Sequence, residues 1–212
     1  MIHELRTYAV QPGKLGPYVE LVGSLARPIR GDRFGKLLGY WSTELGPLNQ
    51  VLHLWEYADM AARGAARAGL AQDERWVKEY LPVSAPLLVS QENLLLTPAP
   101  WYPFRPASGM SVYELRMYRT HPGQTAAWLG HFRDALPVRE KYSSPVAVWS
   151  TEVGPLNTVA HLWGYRDANH RAEVRKSALA DPGWQAFIQK ATPLLQAMET
   201  KLLIPASFSP LR

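Results

Sequence analysis

Hydrophobic and polar positions along the chain follow one succession of patterns, written twice. "HELRTYAV" mixes β-branched and aromatic residues with alternation and predicts a strand. After "QPG", Leu15, Tyr18, Val19, Val22, Leu25, Ala26 and Ile29 recur at helical spacing, as do Trp128, Leu129, Phe132 and Leu136 after the second "HPG". "KLLGYWSTE" and "NQVLHLWEY" flank a Gly-Pro turn and predict a β-hairpin. A second helix starts near Asp59 or Asp167, each a candidate N-cap. "ENLLLTP" and "TKLLIP" then read as final strands stopped by proline. The order is β-α-β-β-α-β, twice.

The duplication is also literal. "WSTELGPLNQVLHLWEY" (41–57) returns as "WSTEVGPLNTVAHLWGY" (149–165) with thirteen identities in seventeen positions. "ELRTYAVQPG" returns at offset 110 as "ELRMYRTHPG", and "PLLVSQENLLLTP" at offset 107 as "PLLQAMETKLLIP". The drift implies small loop deletions in the second copy, because loops tolerate them best. The proline-rich "TPAPWYPFRPASG" marks the junction. The expected domains are 1–98 and 110–212, with 99–109 as linker.

This order is the ferredoxin-like split βαβ unit, an antiparallel sheet with helices on one face. The predicted class is α+β, with tandem repeats that cover each other's second face in one chain, as a symmetric dimer would, and leave a cleft or barrel for a ligand between them. On the hairpin's second strand Asn49, Val51, His53, Trp55 and Tyr57 share one face and equal Asn157, Val159, His161, Trp163 and Tyr165. The alternate face matches at one position of four. On the first strand Glu4, Arg6 and Tyr8 equal Glu114, Arg116 and Tyr118. The identical faces are expected to look across at each other.

Two readings of that face compete. It is either packed core with satisfied polar groups, or a lining of acid, guanidinium, imidazole and phenol around a small molecule. In the second reading Arg6 or Arg116 holds a carboxylate or enolate, His53 or His161 moves a proton, Glu4 and Glu114 assist, and Tyr8, Tyr118, Asn49, Asn157, Trp55, Trp163, Tyr57 and Tyr165 bind. Each histidine reads as a satisfied core residue, a proton shuttle or a metal ligand. Arg63, Arg67, Arg171 and Arg175 read as a solvated helix face paired with acids such as Asp59 or Asp73.

Composition narrows the field. With 212 residues, 47% hydrophobic, the chain can bury a core. The absence of cysteine excludes disulfides, thiolate catalysis and sulfur-based zinc sites. No further metal ligands fall at usable spacing, so no metal and no cofactor are expected. A net charge of +5 spread over scattered basic residues argues against nucleic acid. The N-terminus has no signal-peptide pattern and no apolar run approaches membrane-spanning length, so a soluble, cytoplasmic protein without membrane contact is expected. Phosphate-loop, dinucleotide, nucleophile-elbow and H-E-x-x-H motifs are missing.

Taken together, "ELRTY…PG", "GYWSTELGPLNQVLHLWEYAD", the spaced arginines and "PLL…QENLLL.P" resemble the NIPSNAP domain, in both halves. Copy two departs at Ala147, where copy one has Gly39. The resemblance implies an intramolecular dimeric α+β barrel, in a superfamily that contains cofactor-independent monooxygenases, isomerases and haem proteins. It leaves three classes of function open: a small-molecule-binding protein or cofactor-independent enzyme acting by acid/base or oxygenase-type chemistry, a non-catalytic scaffold or protein-interaction module, and a haem or metal protein. The tandem repeat can satisfy its own sheet interface, so homo-oligomerisation is not required to bury it.

Overall fold

The computed structural model describes residues 1–212. The first repeat runs β1 (Ile2–Val10), α1 (Leu15–Leu21), a π-helical segment (Val22–Ala26), α2 (Arg27–Arg30), β2 (Lys36–Leu45), β3 (Gln50–Tyr57), α3 (Met60–Gln72), a second π-helical segment (Trp76–Tyr80), α4 (Leu81–Ser84) and β4 (Leu88–Pro98). The second runs β5 (Val112–Thr120), α5 (Thr125–Glu140), β6 (Pro145–Val153), β7 (Thr158–Tyr165), α6 (Ala168–Ala180), α7 (Pro182–Ala191) and β8 (Leu195–Pro205). Strand hydrogen bonding follows the order β1-β3-β2-β8-β5-β7-β6-β4, a closed barrel. The expected α+β class with tandem repeats is therefore what the chain adopts. Its compact units are Met1–Leu96 with Leu203–Arg212, and Thr97–Leu202. No helix is long and apolar enough to cross a membrane.

Local chemistry sets the element ends. Asp59 and Asp167 cap their helices, their carboxylates accepting from the amides of Ala62 at 2.8 Å and His170 at 2.7 Å. Asn49 and Asn157 sit at the hairpin turns with φ of 55°, a left-handed conformation that asparagine tolerates. Their carbonyls accept from the amides of Val10 at 2.8 Å and Thr120 at 2.7 Å, pinning each hairpin to the preceding strand.

The face assignment needs correction. In the first unit Tyr8, Val51, Trp55 and Tyr57 form one core with Tyr18, Val22, Ala26 and Ile29 of the unit's own helices. In the second, Tyr118, Val159 and Trp163 do the same with Trp128, Phe132 and Phe187. The face identical in both copies is thus the helix-covered one, not the one turned away from the helices. Both faces are buried, since Leu5, Leu52 and Leu54 on the alternate side are also buried. Alternation separates two such faces without saying which one meets the helices. The large rings of the identical face bury the most area against an apolar helix stripe, which decides it.

The drift between copies is not confined to loops either. Pro12-Gly13 and Pro122-Gly123, just before the first helix, are 110 apart, whereas Pro28 and Pro137 near its end are 109 apart. One extra residue therefore lies inside the first copy's helix, where Val22–Ala26 is π-helical and α5 is regular. Trp76 and Trp184 are 108 apart, and Pro86 and Pro193 are 107 apart. The last of the three extra residues falls where Trp76–Tyr80 is π-helical, the middle one falling in the loop before β2. A π turn closes i to i+5 and so absorbs one residue without turning the following helix off its packed face.

This account predicts the effect of deletion. Removing exposed Ser24, or exposed Val77, from its π segment should leave a regular helix in the register of the second copy, with a melting temperature within a few degrees of the parent. Removing Gly130 from regular α5 should cost far more, because every later side chain of that helix would turn by about 100°. Calorimetry of the three variants checks this; equal losses in all three would disprove the insertion reading.

Candidate functional site

Each unit is built around a carboxylate with no exposed surface. Glu4 lies opposite Trp55 on β3 and opposite Leu95 on β4. Its Oε1 accepts from Arg63 at 2.6 Å and from Asn93 at 2.9 Å, and its Oε2 accepts from the Tyr57 hydroxyl at 3.4 Å. Burial alone would raise this carboxyl; the Arg63 hydrogen bond, the Arg6 charge and the Asn93 bond outweigh it and hold the group below its ordinary value. Glu114 repeats the arrangement with Arg171 at 2.6 Å, Arg175 at 3.4 Å, Thr200 at 3.0 Å and Tyr165 at 3.5 Å. Its carboxyl is lowered in the same way against the same burial. Arg63, Arg171 and Arg175 are thus partners of buried acids, which corrects their assignment to a solvated face.

Beside this network the first unit holds a cavity of about 520 Å³ between its sheet and its helices. Arg6, His53 and Tyr40 lie side by side across β1, β3 and β2 and form its floor. Tyr18, Arg30 and Tyr80 come from the helices. The π segments contribute Val22, Ala26, Trp76 and Tyr80 to the wall. Three arginines and no carboxylate line it.

The protonation states are set by burial. His53 is pushed well below its ordinary value by desolvation, and the charges of Arg6 and Arg30 act in the same direction. Its Nδ1 accepts from the Trp55 indole N–H at 2.5 Å. An indole nitrogen can only donate, so the neutral ring carries its proton on Nε2 and presents a donor. The ring stacks on Tyr40 at 5.2 Å and meets Tyr8 edge-on at 4.7 Å. Burial pushes Tyr8 up to about 12 and raises Tyr40 and Tyr18, so these phenols also stay protonated. The Tyr40 hydroxyl is buried without a hydrogen-bond partner. Burial lowers Arg30 to about 10, still a cation at neutral pH, with its guanidinium 3.3 Å over the Trp55 ring and donating to Tyr57 at 2.9 Å.

The second unit has a smaller cavity of about 300 Å³. Arg116 and His161 occupy the matching floor positions, and Trp163 donates to His161 Nδ1 at 2.5 Å. His161 is likewise held well below its ordinary value by burial and by the charges of Arg116, Arg139 and Arg175.

The structure therefore brings Arg6, Tyr8, His53 and Trp55 together on one cavity, and Arg116, Tyr118, His161, Trp163 and Tyr165 on another. It does not place Glu4, Glu114, Asn49, Asn157 or Tyr57 on a cavity wall: the glutamates are bound in ion pairs, Tyr57 bridges Glu4 and Arg30, and the asparagines shape turns. Sequence reasoning missed Arg30 and Arg139, which stack over Trp55 and Trp163. The signal was the pair "PIR" and "PVR" at offset 109, hidden by an alignment held at 110. It also missed Tyr18, Tyr40 and Tyr80, whose positions in copy two hold no tyrosine.

The NIPSNAP family model matches residues 3–103 and again 113–210. A Dictyostelium discoideum NipSnap homolog is 34% identical over 209 residues, covering 96% of this chain and 87% of its own. Human NipSnap homolog 3A is 34% identical over 215 residues, covering 100% and 86%. Among solved structures, a monooxygenase-like protein from Lactobacillus acidophilus has a TM-score of 0.67 over 97% of this chain and 94% of its own, at 11% identity. An anthrone oxidase-like protein has a TM-score of 0.63 over 96% and 90%, also at 11% identity. At that identity the likeness shows the fold alone.

The buried groups fix how stability depends on pH. His53, His161 and His3 have folded values below 6.5, lowered first by burial, so the unfolded chain takes up protons first, and stability that is full above 6.5 declines as pH falls below it. The glutamates have folded values below 4.5, so their contribution is present above 4.5 and lost as pH falls through the depressed value. Melting temperature should be flat above about pH 7, fall gently below 6.5 and steeply below 4.5. The double variant His53→Gln/His161→Gln should shrink the gentle limb to the share of His3 and keep the steep one; an unchanged gentle limb would count against neutral imidazoles at 53 and 161.

Proposed function

The chain belongs to the NIPSNAP family, and from that premise we propose that its first repeat binds a small aromatic anion in the cavity over Arg6, His53 and Tyr40. The observation that carries this reading is the composition of the wall, which offers guanidinium groups, protonated phenols and an imidazole N–H, with no carboxylate to compete for them. A volume of about 520 Å³ lies within the range of ordinary small-molecule sites. A carboxylate, phenolate or enolate satisfies Arg6, whose buried Nε makes no hydrogen bond, while the aromatic walls hold a ring.

This changes the role expected of His53. With Nδ1 taken by Trp55, the ring has no free lone pair for a general base. It acts as a fixed hydrogen-bond donor, suited to stabilising an oxyanion or enolate rather than to generating one. Chemistry in this cavity is therefore limited to substrates that arrive acidic enough to ionise, which is the type open to a cofactor-independent enzyme. Cytoplasmic placement belongs to the same proposal and rests on the cysteine-free composition.

A second reading, as an interaction module, is favoured by the hairpin tips. Leu48 and Leu156 are 70% and 72% exposed at equivalent positions. Variants Leu48→Glu and Leu156→Glu should leave ligand binding intact, so they separate the two readings.

Isothermal titration with 4-hydroxybenzoate tests the binding site. Arg6→Gln should weaken binding at least tenfold, and His53→Gln several-fold, with folding retained. Affinity should be flat from pH 6 to 8, since a neutral His53 does not titrate there. No binding by this probe or by related aromatic carboxylates and enols, or an affinity step at pH 6.5, would overturn the proposal.

A further inference from the structure

The two cavities share the arginine and histidine of the floor and the arginine stacked on tryptophan, but differ at the third floor position and along much of the wall. Tyr18 of the first corresponds to Trp128 of the second, Val22 to Phe132, Tyr40 to Val148 and Tyr80 to Phe187. Ser84 corresponds to Ala191 and Gln91 to Met198. Each of five hydroxyl or amide groups in the first repeat thus meets an apolar group or an indole in the second. Phe132 and Trp128 stack on His161 at 5.3 Å and 5.9 Å, which narrows the space to about 300 Å³. The regular α5 carries those rings and the regular α7 adds Trp184 and Phe187, without the π turns of the first repeat's wall.

What remains polar in the second cavity is concentrated. Arg116, Arg139 and Arg175 line it, with no carboxylate on the wall. Two further donors, the indole N–H of Trp128 and Nε2 of His161, are buried without a partner. Burial of an unpaired donor is costly, and an acceptor brought by a ligand relieves it. Apart from the hydroxyls of Tyr118, Tyr165 and Thr192, the rest of the wall is aromatic or aliphatic, which disfavours ligands with hydroxyl groups on the ring, because most of those groups would be left unpaired.

We propose that the second repeat's cavity is a separate site for a flat, apolar aromatic carboxylate, different in class from the hydroxylated anion suited to the first. The inference does not rest on what the first repeat binds. Its carboxylate lies against Arg116 and the donors of His161 and Trp128, and its ring lies among Phe132, Trp184 and Phe187. Two sites on one chain, with different selectivity, would make the tandem arrangement a two-ligand protein.

Titration of the full chain with 2-naphthoate and with 4-hydroxybenzoate, separately and together, tests this. Naphthoate should bind with a stoichiometry of one, and saturating hydroxybenzoate should leave its affinity within twofold. Arg116→Gln should weaken naphthoate at least tenfold and leave hydroxybenzoate unchanged, with Arg6→Gln doing the reverse. Phe187→Tyr with Ala191→Ser, a nearly isosteric pair, should cut naphthoate affinity about tenfold by placing hydroxyls in the apolar wall, and serves if Arg116→Gln fails to fold. Failure of naphthoate to bind, loss of its binding in Arg6→Gln, or simple competition between the probes overturns the proposal. Loss of hydroxybenzoate binding alone would sink the first-repeat reading and leave this one standing.

Discussion

A carboxylate buried to zero exposure on the first strand is the constraint around which each repeat is organised. An isolated ion in such a place costs several kcal/mol, so the chain must bring compensating groups to it from elsewhere. For Glu4 they come from α3 (Arg63), β4 (Asn93) and β3 (Tyr57), which ties three elements distant in sequence to one point on β1. Glu114 is met by Arg171 and Arg175 of α6, Thr200 of β8 and Tyr165 of β7. The donor from the last strand changes from amide to hydroxyl, while the geometry of compensation stays the same.

The cavity floor inherits its chemistry from that point. In the first repeat Tyr57 donates to Glu4 and accepts from Arg30, which fixes the Arg30 guanidinium over the Trp55 ring. Trp55 in turn gives its only N–H to His53, which fixes the imidazole tautomer. A chain of four contacts therefore runs from a buried anion beside the cavity to a donor on its floor. Because the anion is neutralised by Arg63, Arg6 and Arg30 leave the cavity wall with net positive character. A group outside the cavity thus sets the sign of charge inside it.

Much of this was legible in the sequence, for identifiable reasons. The element order followed from periodicity, and the repeat followed from letters alone. Selective identity on one face singled out Arg6, Tyr8, His53 and Trp55, because a shared hydrogen-bonding floor restrains residue type more than shape-filling leucines do. The covered side of the sheet was not legible, since both faces of these strands are apolar enough to be buried. Nor were the partners of Glu4 and Glu114. The spacing of Arg63 and Arg67 is that of an ordinary exposed helix face, and only the docking of α3 on the sheet turns Arg63 inward.

The π turns explain why the walls escaped the same reading. One extra residue in an α-helix rotates everything after it by about 100°, enough to expose a packed face. A π turn takes up that residue locally, so Pro28 and Arg30 remain equivalent to Pro137 and Arg139 while the register shifts by one within Val22–Ala26. The insertion therefore alters the wall beside the cavity and leaves unchanged both the helix end that stacks on the tryptophan and the floor beneath it. The two repeats can in this way hold the same buried charge, the same Trp–His hydrogen bond and the same arginine stack, yet enclose spaces of different size and polarity. Divergence falls on the walls and on the Tyr40 position, because the arginine and histidine of the floor are tied to the network of the buried carboxylate.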